Sequence, residues 1–202
     1  MLVSTFEVLV KPQFPRLPGS PFPQIDQLTR NVIQGYFLTI ANVNFFPVTV
    51  SLVFTIRFPE GTTVRPKSFD DFIQAVDISG ENLLPGPSST VKLVPEIVPQ
   101  NNKARITFTL PENGTGLLIL QPNILDTKLD LLTETNFEAR GYVEIFLSSL
   151  SGSNDATLLV TPEQRGTFYR SSVDGTIAGE TLDQIAYSLP VSNGGVFNLS
   201  NI

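Results

Sequence analysis

The sequence predicts an all-β fold, a single antiparallel β-sandwich, from three features. Apolar and polar residues alternate with a period of two, turn residues separate the alternating runs, and 15 phenylalanines supply bulky side chains to fill the space between two sheets. About 8–10 strands are expected, with immunoglobulin-like and jelly-roll topologies both open and at most one or two short helices. The 202 residues are read as one domain, 1–202, because all-β folds of about 200 residues commonly form a single unit that buries about 70% of its unfolded surface.

The elements follow in order. Phe6, Val8 and Val10 mark a first strand. Pro12, Pro15, Pro18, Pro21 and Pro23 then make 11–23 a Pro-rich arm or loop that excludes helix and central strand, and Phe14, Leu17 and Phe22 between the prolines suit packing on the domain or on a neighbouring subunit. Residues 35–40 and 47–57 are β-branched and aromatic and read as a hairpin turning through 41–44. Further strands are expected at 90–94, 103–110, 116–120, 137–147, 156–160 and 166–169, and a last hairpin joins 185–191 to 196–199 through Asn193-Gly194, which supplies positive φ. Two stretches read equally as helix or strand. Ser68 with Asp71 forms a capping-box pattern ahead of Phe69, Phe72, Ile73 and Val76 (69–77), and Thr181 with Gln184 precedes Leu182, Ile185, Ala186 and Leu189 (182–189). The 35–57 hairpin resembles those of immunoglobulin-like sandwiches in general architecture, a likeness that transfers no function.

Composition narrows the chemistry. There is no histidine, cysteine or tryptophan, which removes imidazole bases, thiolates and the soft ligands of zinc sites, so no catalytic residues, metal or cofactor are assigned and a non-enzymatic role is expected. The net charge is −6, with 13 basic and 19 acidic residues. The basic residues are scattered, which argues against nucleic acid as a partner. No apolar run approaches the ~20 residues of a membrane-spanning helix. The first ten residues lack a basic n-region and carry Glu7, so they do not read as a signal peptide and a cytoplasmic location is expected.

The most motif-like feature is an echo, Glu138-x-Arg140-Gly141 and Glu163-x-Arg165-Gly166. On a strand, residues two apart face the same side, so Glu138 with Arg140 and Glu163 with Arg165 form side-by-side pairs. If the two segments pair, all four charges gather on one face. They then form either an anion-recognition patch or a solvated ion-pair ladder. Ser89-x-x-Lys92 matches a serine acyl-enzyme spacing, but an extended backbone would set the two side chains on opposite faces. Acidic residues cluster as Asp70, Asp71 and Asp77 and as Asp126, Asp130 and Glu134. The expected function is a structural or protein-interaction module that self-associates through the Pro-rich arm or an edge strand, with residues 117–120 a candidate edge. The alternatives are a carboxylate-based hydrolase or Ca/sugar-binding domain, and anion or small-ligand recognition by Glu138, Arg140, Glu163 and Arg165.

Overall fold

The computed structural model describes residues 1–14, 30–61, 63–77, 94–95, 101–170 and 183–201, with 94–95 described as backbone only. Strands make up 62% of these residues and helical turns 7%. The strands are β1 (Leu2–Pro12), β2 (Asn31–Asn42), β3 (Val48–Arg57), β4 (Phe72–Asp77), β5 (Val94–Pro95), β6 (Lys103–Leu110), β7 (Thr115–Pro122), β8 (Phe137–Leu147), β9 (Asp155–Tyr169), β10 (Asp183–Ser188) and β11 (Val196–Ser200). The class is the expected one, all-β and antiparallel. Its architecture differs: the strands form one strongly curled sheet, a half-barrel, and not two separate stacked layers.

The curl originates at β2. One edge of β2 pairs with β9 along its whole length, while the other edge changes partner part-way, residues 31–34 pairing with β1 and residues 36–41 with β7. Gly35 sits at the switch. From there β1 continues with β8, followed by β3, β6 and β5, while β7 carries β4 on its far side. The two halves of the molecule are thus joined by main-chain hydrogen bonds, and the sheet bends around a shared core.

Local alternation dictates what enters that core. In β6, Ala104, Ile106, Phe108 and Leu110 are buried while Arg105, Thr107 and Thr109 face out. β3 lies between β6 and β8, and both of its faces are covered except at Arg57. Its inward residues Val48, Val50, Leu52, Phe54 and Ile56 are fully buried. The outward Thr49 and Ser51 each share a 2.8 Å hydrogen bond with Thr109 and Thr107 across the strand pair, as cross-strand hydroxyls commonly do. At the centre the rings of Phe6, Tyr36 and Phe54 meet with centroids 5.2, 6.0 and 6.4 Å apart, in tilted and edge-to-face geometries.

Tyr36 is fully buried, and its hydroxyl shares a 2.9 Å hydrogen bond with Ser4 Oγ. Burial holds its phenol well above the ordinary tyrosine range, and the Ser4 bond acts in the opposite direction. In the unfolded chain the phenol ionises near pH 10. The native state therefore retains the proton that the unfolded state loses, and stability is intact below about pH 10 and falls above it by up to about 1.4 kcal/mol per pH unit. Tyr36→Phe, followed by chemical denaturation, is expected to lose about 1 kcal/mol at neutral pH by orphaning Ser4 and to lessen the alkaline decline, part of which persists because burial also raises the Tyr169 phenol.

Several sequence expectations are corrected by pairing. Residues 35–57 are not a hairpin, since β2 and β3 do not pair: both edges of β2 are occupied by β9, β1 and β7, and the 43–47 turn carries the chain from one arm of the sheet to the other. Asparagines clamp that crossing, with Asn42 Nδ2 donating to the carbonyls of Phe46 and Pro111 at 2.8 Å each and Asn44 Nδ2 donating to Thr157 O at 2.8 Å. The last two strands are not a hairpin either. β11 pairs with residues 155–159 of β9 and β10 with residues 163–168, end to end along one edge of that 15-residue strand. Asn193 and Gly194 do take positive φ, 54° and 62°, but their turn moves the chain along an edge instead of reversing it. The expected strands at 156–160 and 166–169 are parts of this one β9.

Residues 72–77 and 183–188, the greater part of the two helix-or-strand stretches, are strands. β4 pairs with β7 from Phe72 to Asp77 and β10 with β9 from Asp183 to Ser188, so strand pairing overrides the local helical spacing. The capping signal at Ser68 survives as a 3₁₀ turn, Phe69–Asp71, in which Asp70 N donates to Ser68 Oγ at 3.2 Å. The only α-helix among the described residues is the single turn α1 (Leu131–Glu134). Residues 117–120 are not an edge, because β7 lies between β2 and β4. Residues 15–23 of the Pro-rich arm, and most of the strand expected at 90–94, lie outside the described residues. No helix among the described residues is long and apolar enough to cross a membrane.

Candidate functional site

The two Glu-x-Arg-Gly segments stand on different strands that are not neighbours. β8 carries Glu138 and Arg140, β9 carries Glu163 and Arg165, and β1 and β2 separate them in the sheet. The four charges therefore form two sites and not one patch.

The β8 pair belongs to a ladder on the outer face of β1 and β8. Glu7 lies directly across from Arg140 and accepts from its Nε at 2.8 Å, while Arg140 Nη2 meets Glu138 Oε1 at 2.6 Å and Lys11 pairs with the same Glu138. The ladder borders a broad groove of about 640 Å³ that Glu134 also lines. The Arg140 side chain is 73% exposed, so its ion pairs are screened by water. Arg140→Ala is expected to change unfolding stability by less than about 1 kcal/mol in a denaturant titration.

The β9 pair is better enclosed. Arg165 donates from Nε and Nη2 to a single Glu163 oxygen at 3.0 and 2.7 Å, and its guanidinium lies over the Phe37 ring, 4.6 Å from the centroid. The register explains the stack. Gly35 is paired with Arg165 and Phe37 with Glu163, and the missing side chain at Gly35 leaves Arg165 room to lean along the sheet onto Phe37. A Cβ on Gly35 would come within 2.7 Å of Gln121 Cγ. The same outer face continues through Thr167 to Gln184 and Ala186 of β10. Together these strands enclose a cleft of about 410 Å³ whose polar groups come from Arg165, Gln121, Thr167 and Gln184.

One wall of this cleft is β10. All six of its residues are exposed, including the apolar Ile185 and Tyr187, and among the described residues β9 is its only partner strand. Its start is anchored by an ion pair between Asp183 and Arg30, whose guanidinium lies 5.2 Å from the Phe168 ring centroid. β10 coincides with one of the two stretches that read equally as helix or strand. A strand reading would have exposed its edge, for its central residues carry neither charge nor proline.

The acidic clusters do not converge. Asp71 is buried and accepts from Lys67 N at 2.6 Å beside Arg65, Asp126 accepts from Lys128 N at 2.9 Å, and Asp70, Asp130 and Glu134 are exposed. Asp77 ends β4 on the other face of the strand from Phe72 and Val76. Helix α1 starts only at Leu131, so it does not align Asp126, Asp130 and Glu134. Among the described residues no three acidic side chains are placed to share a metal ion. Ser89 and Lys92 lie outside the described residues. In comparisons with known proteins, the chain matches no family model, no curated protein and no solved structure.

Proposed function

We propose that this chain is a non-enzymatic structural or interaction module that self-associates through the open edge of β10. The observation that carries the reading is a strand exposed along its whole length. Such an edge presents unpaired N–H and C=O groups, a template for another strand. Natural sheets blunt their edges with lysine, proline, bulges or very short strands. β10 carries neither lysine nor proline, and its register with β9 runs unbroken from Asp183 to Ser188. The net charge of −6 keeps the molecule soluble without placing a charge at the centre of this edge.

Light scattering across a concentration series tests the reading. The wild-type mass rises from 22.1 kDa toward twice that value as concentration increases. Ile185→Lys, which sets a charge on the edge, stays at the monomer mass. A wild-type chain that remains monomeric at every concentration would falsify the proposal.

A second reading rests on the cleft beside β10, where the outer face of Arg165 is a platform for a small planar anion such as an aromatic carboxylate. Glu163 occupies one edge of the guanidinium and Phe37 one face. Benzoate raising the melting temperature of the wild type but not of Arg165→Ala supports it, and equal shifts in both remove it.

A further inference from the structure

We infer that β10 pairs with β10 of a second copy, antiparallel, about a two-fold axis that passes through Ala186. This rests on the self-association proposed above and specifies its geometry. Two antiparallel strands of one sheet are related by a two-fold axis perpendicular to that sheet, which keeps each face of one copy continuous with the same face of the other. Only registers that pair odd with odd and even with even residues meet this condition, because successive side chains alternate between faces.

Within β10 the sequence selects among them. Centred on Ala186, the pairing sets Ile185 opposite the second copy's Tyr187 on one face, twice over, and Gln184 opposite its Ser188 on the other, also twice. The two large apolar residues exposed on this strand then cover one another, an aromatic against a β-branched side chain, which is among the favourable cross-strand combinations. The polar pair places an amide beside a hydroxyl. Asp183 falls beyond these pairs at either end, so no like charges are juxtaposed, and in each copy it already meets Arg30. Ala186 is small enough for the axis to pass beside it. Centring on Ile185 instead would set Asp183 against Tyr187 and Gln184 against Ala186, pairing a carboxylate with an aromatic and leaving the amide without a polar partner. The contact is an extension of the sheet by one strand pair, much smaller than the ~1,600 Å² of a standard stable interface, so the dimer is weak and concentration-dependent.

A chain without cysteine allows a clean covalent test. Directly opposed residues in an antiparallel pair have Cα atoms about 4.5–5.5 Å apart, within the range a disulfide spans. Ala186→Cys in the full chain, treated with a mild thiol oxidant at concentrations where light scattering detects dimer, is expected to cross-link at least tenfold faster than Ser188→Cys. In this register the two copies' residues 188 lie about 13 Å apart along the strands. Circular dichroism and unchanged melting establish that both variants, at exposed positions, keep the fold. Equal rates, or faster linkage at 188, overturn the register while a light-scattering dimer leaves the broader association standing. A chain monomeric throughout overturns both.

Discussion

Replacing Gly141 with alanine is expected to destabilise the fold by about 3 kcal/mol, the upper part of the range for overpacking a tight interior. A Cβ at this position would lie 2.3 Å from the main-chain oxygen of Thr55 and 2.8 Å from Phe6 Cζ. Neither neighbour is free to move. Thr55 belongs to β3, held by β6 on one side and β8 on the other, and Phe6 is part of the central aromatic group. The glycine is therefore required by close approach of backbone and ring. Gly166, in the equivalent position of the second Glu-x-Arg-Gly segment, provides an internal comparison. Its added Cβ would meet Ile33 O at 3.0 Å and the Ile185 side chain at 3.3 Å, so Gly166→Ala is expected to cost about 1 kcal/mol. Urea titrations with unchanged m-values report both differences. Equal effects at the two glycines would mean that the echo has one structural cause in both places, contrary to the different surroundings seen here.

Phe54→Ala is expected to be larger still, about 4 kcal/mol. The side chain is fully buried in β3 and lies against both Phe6 and Tyr36, ring centroids 6.0 and 6.4 Å away. Truncation removes its own burial and leaves a void that two strands pinned by their neighbours cannot close. A loss of such size consumes much of the 5–15 kcal/mol by which domains are ordinarily stable. Thermal denaturation should therefore show a large drop in melting temperature. A loss below about 1.5 kcal/mol would place the aromatic group at a pliable margin and not at the centre of the core.

Much of the strand content was legible because alternation is local. β6 and β8 occupy the stretches that their alternating apolar residues indicate, and the Asn-Gly turn at 193–194 has the backbone it should. Pairing was not legible. The apolar run of 35–40 and that of 47–57 are separated by a short turn, yet they join different partners, because partner choice depends on which edges are already occupied. The same limit applies to the charged motif. Spacing correctly puts Glu163 beside Arg165 and Glu138 beside Arg140, whereas their separation by two intervening strands and the stacking of Arg165 on Phe37 are properties of the assembled sheet. At 182–189 the helical spacing of Leu182, Ile185, Ala186 and Leu189 competed with a strand signal of similar strength, and pairing with β9 decided it.

That outcome gives β10 its importance. A helix there would have satisfied its own backbone, while β10, paired among the described residues with β9 alone, leaves one row of main-chain groups without a strand partner there. Hydrogen–deuterium exchange of the wild-type chain, compared between dilute and concentrated solution, addresses this most directly. If copies join through β10, amides of residues 183–188 slow as concentration rises while those of β3 and β8, already paired on both sides, stay unchanged. Exchange at 183–188 that is the same at both concentrations, or protection gained on another edge instead, contradicts association through this strand.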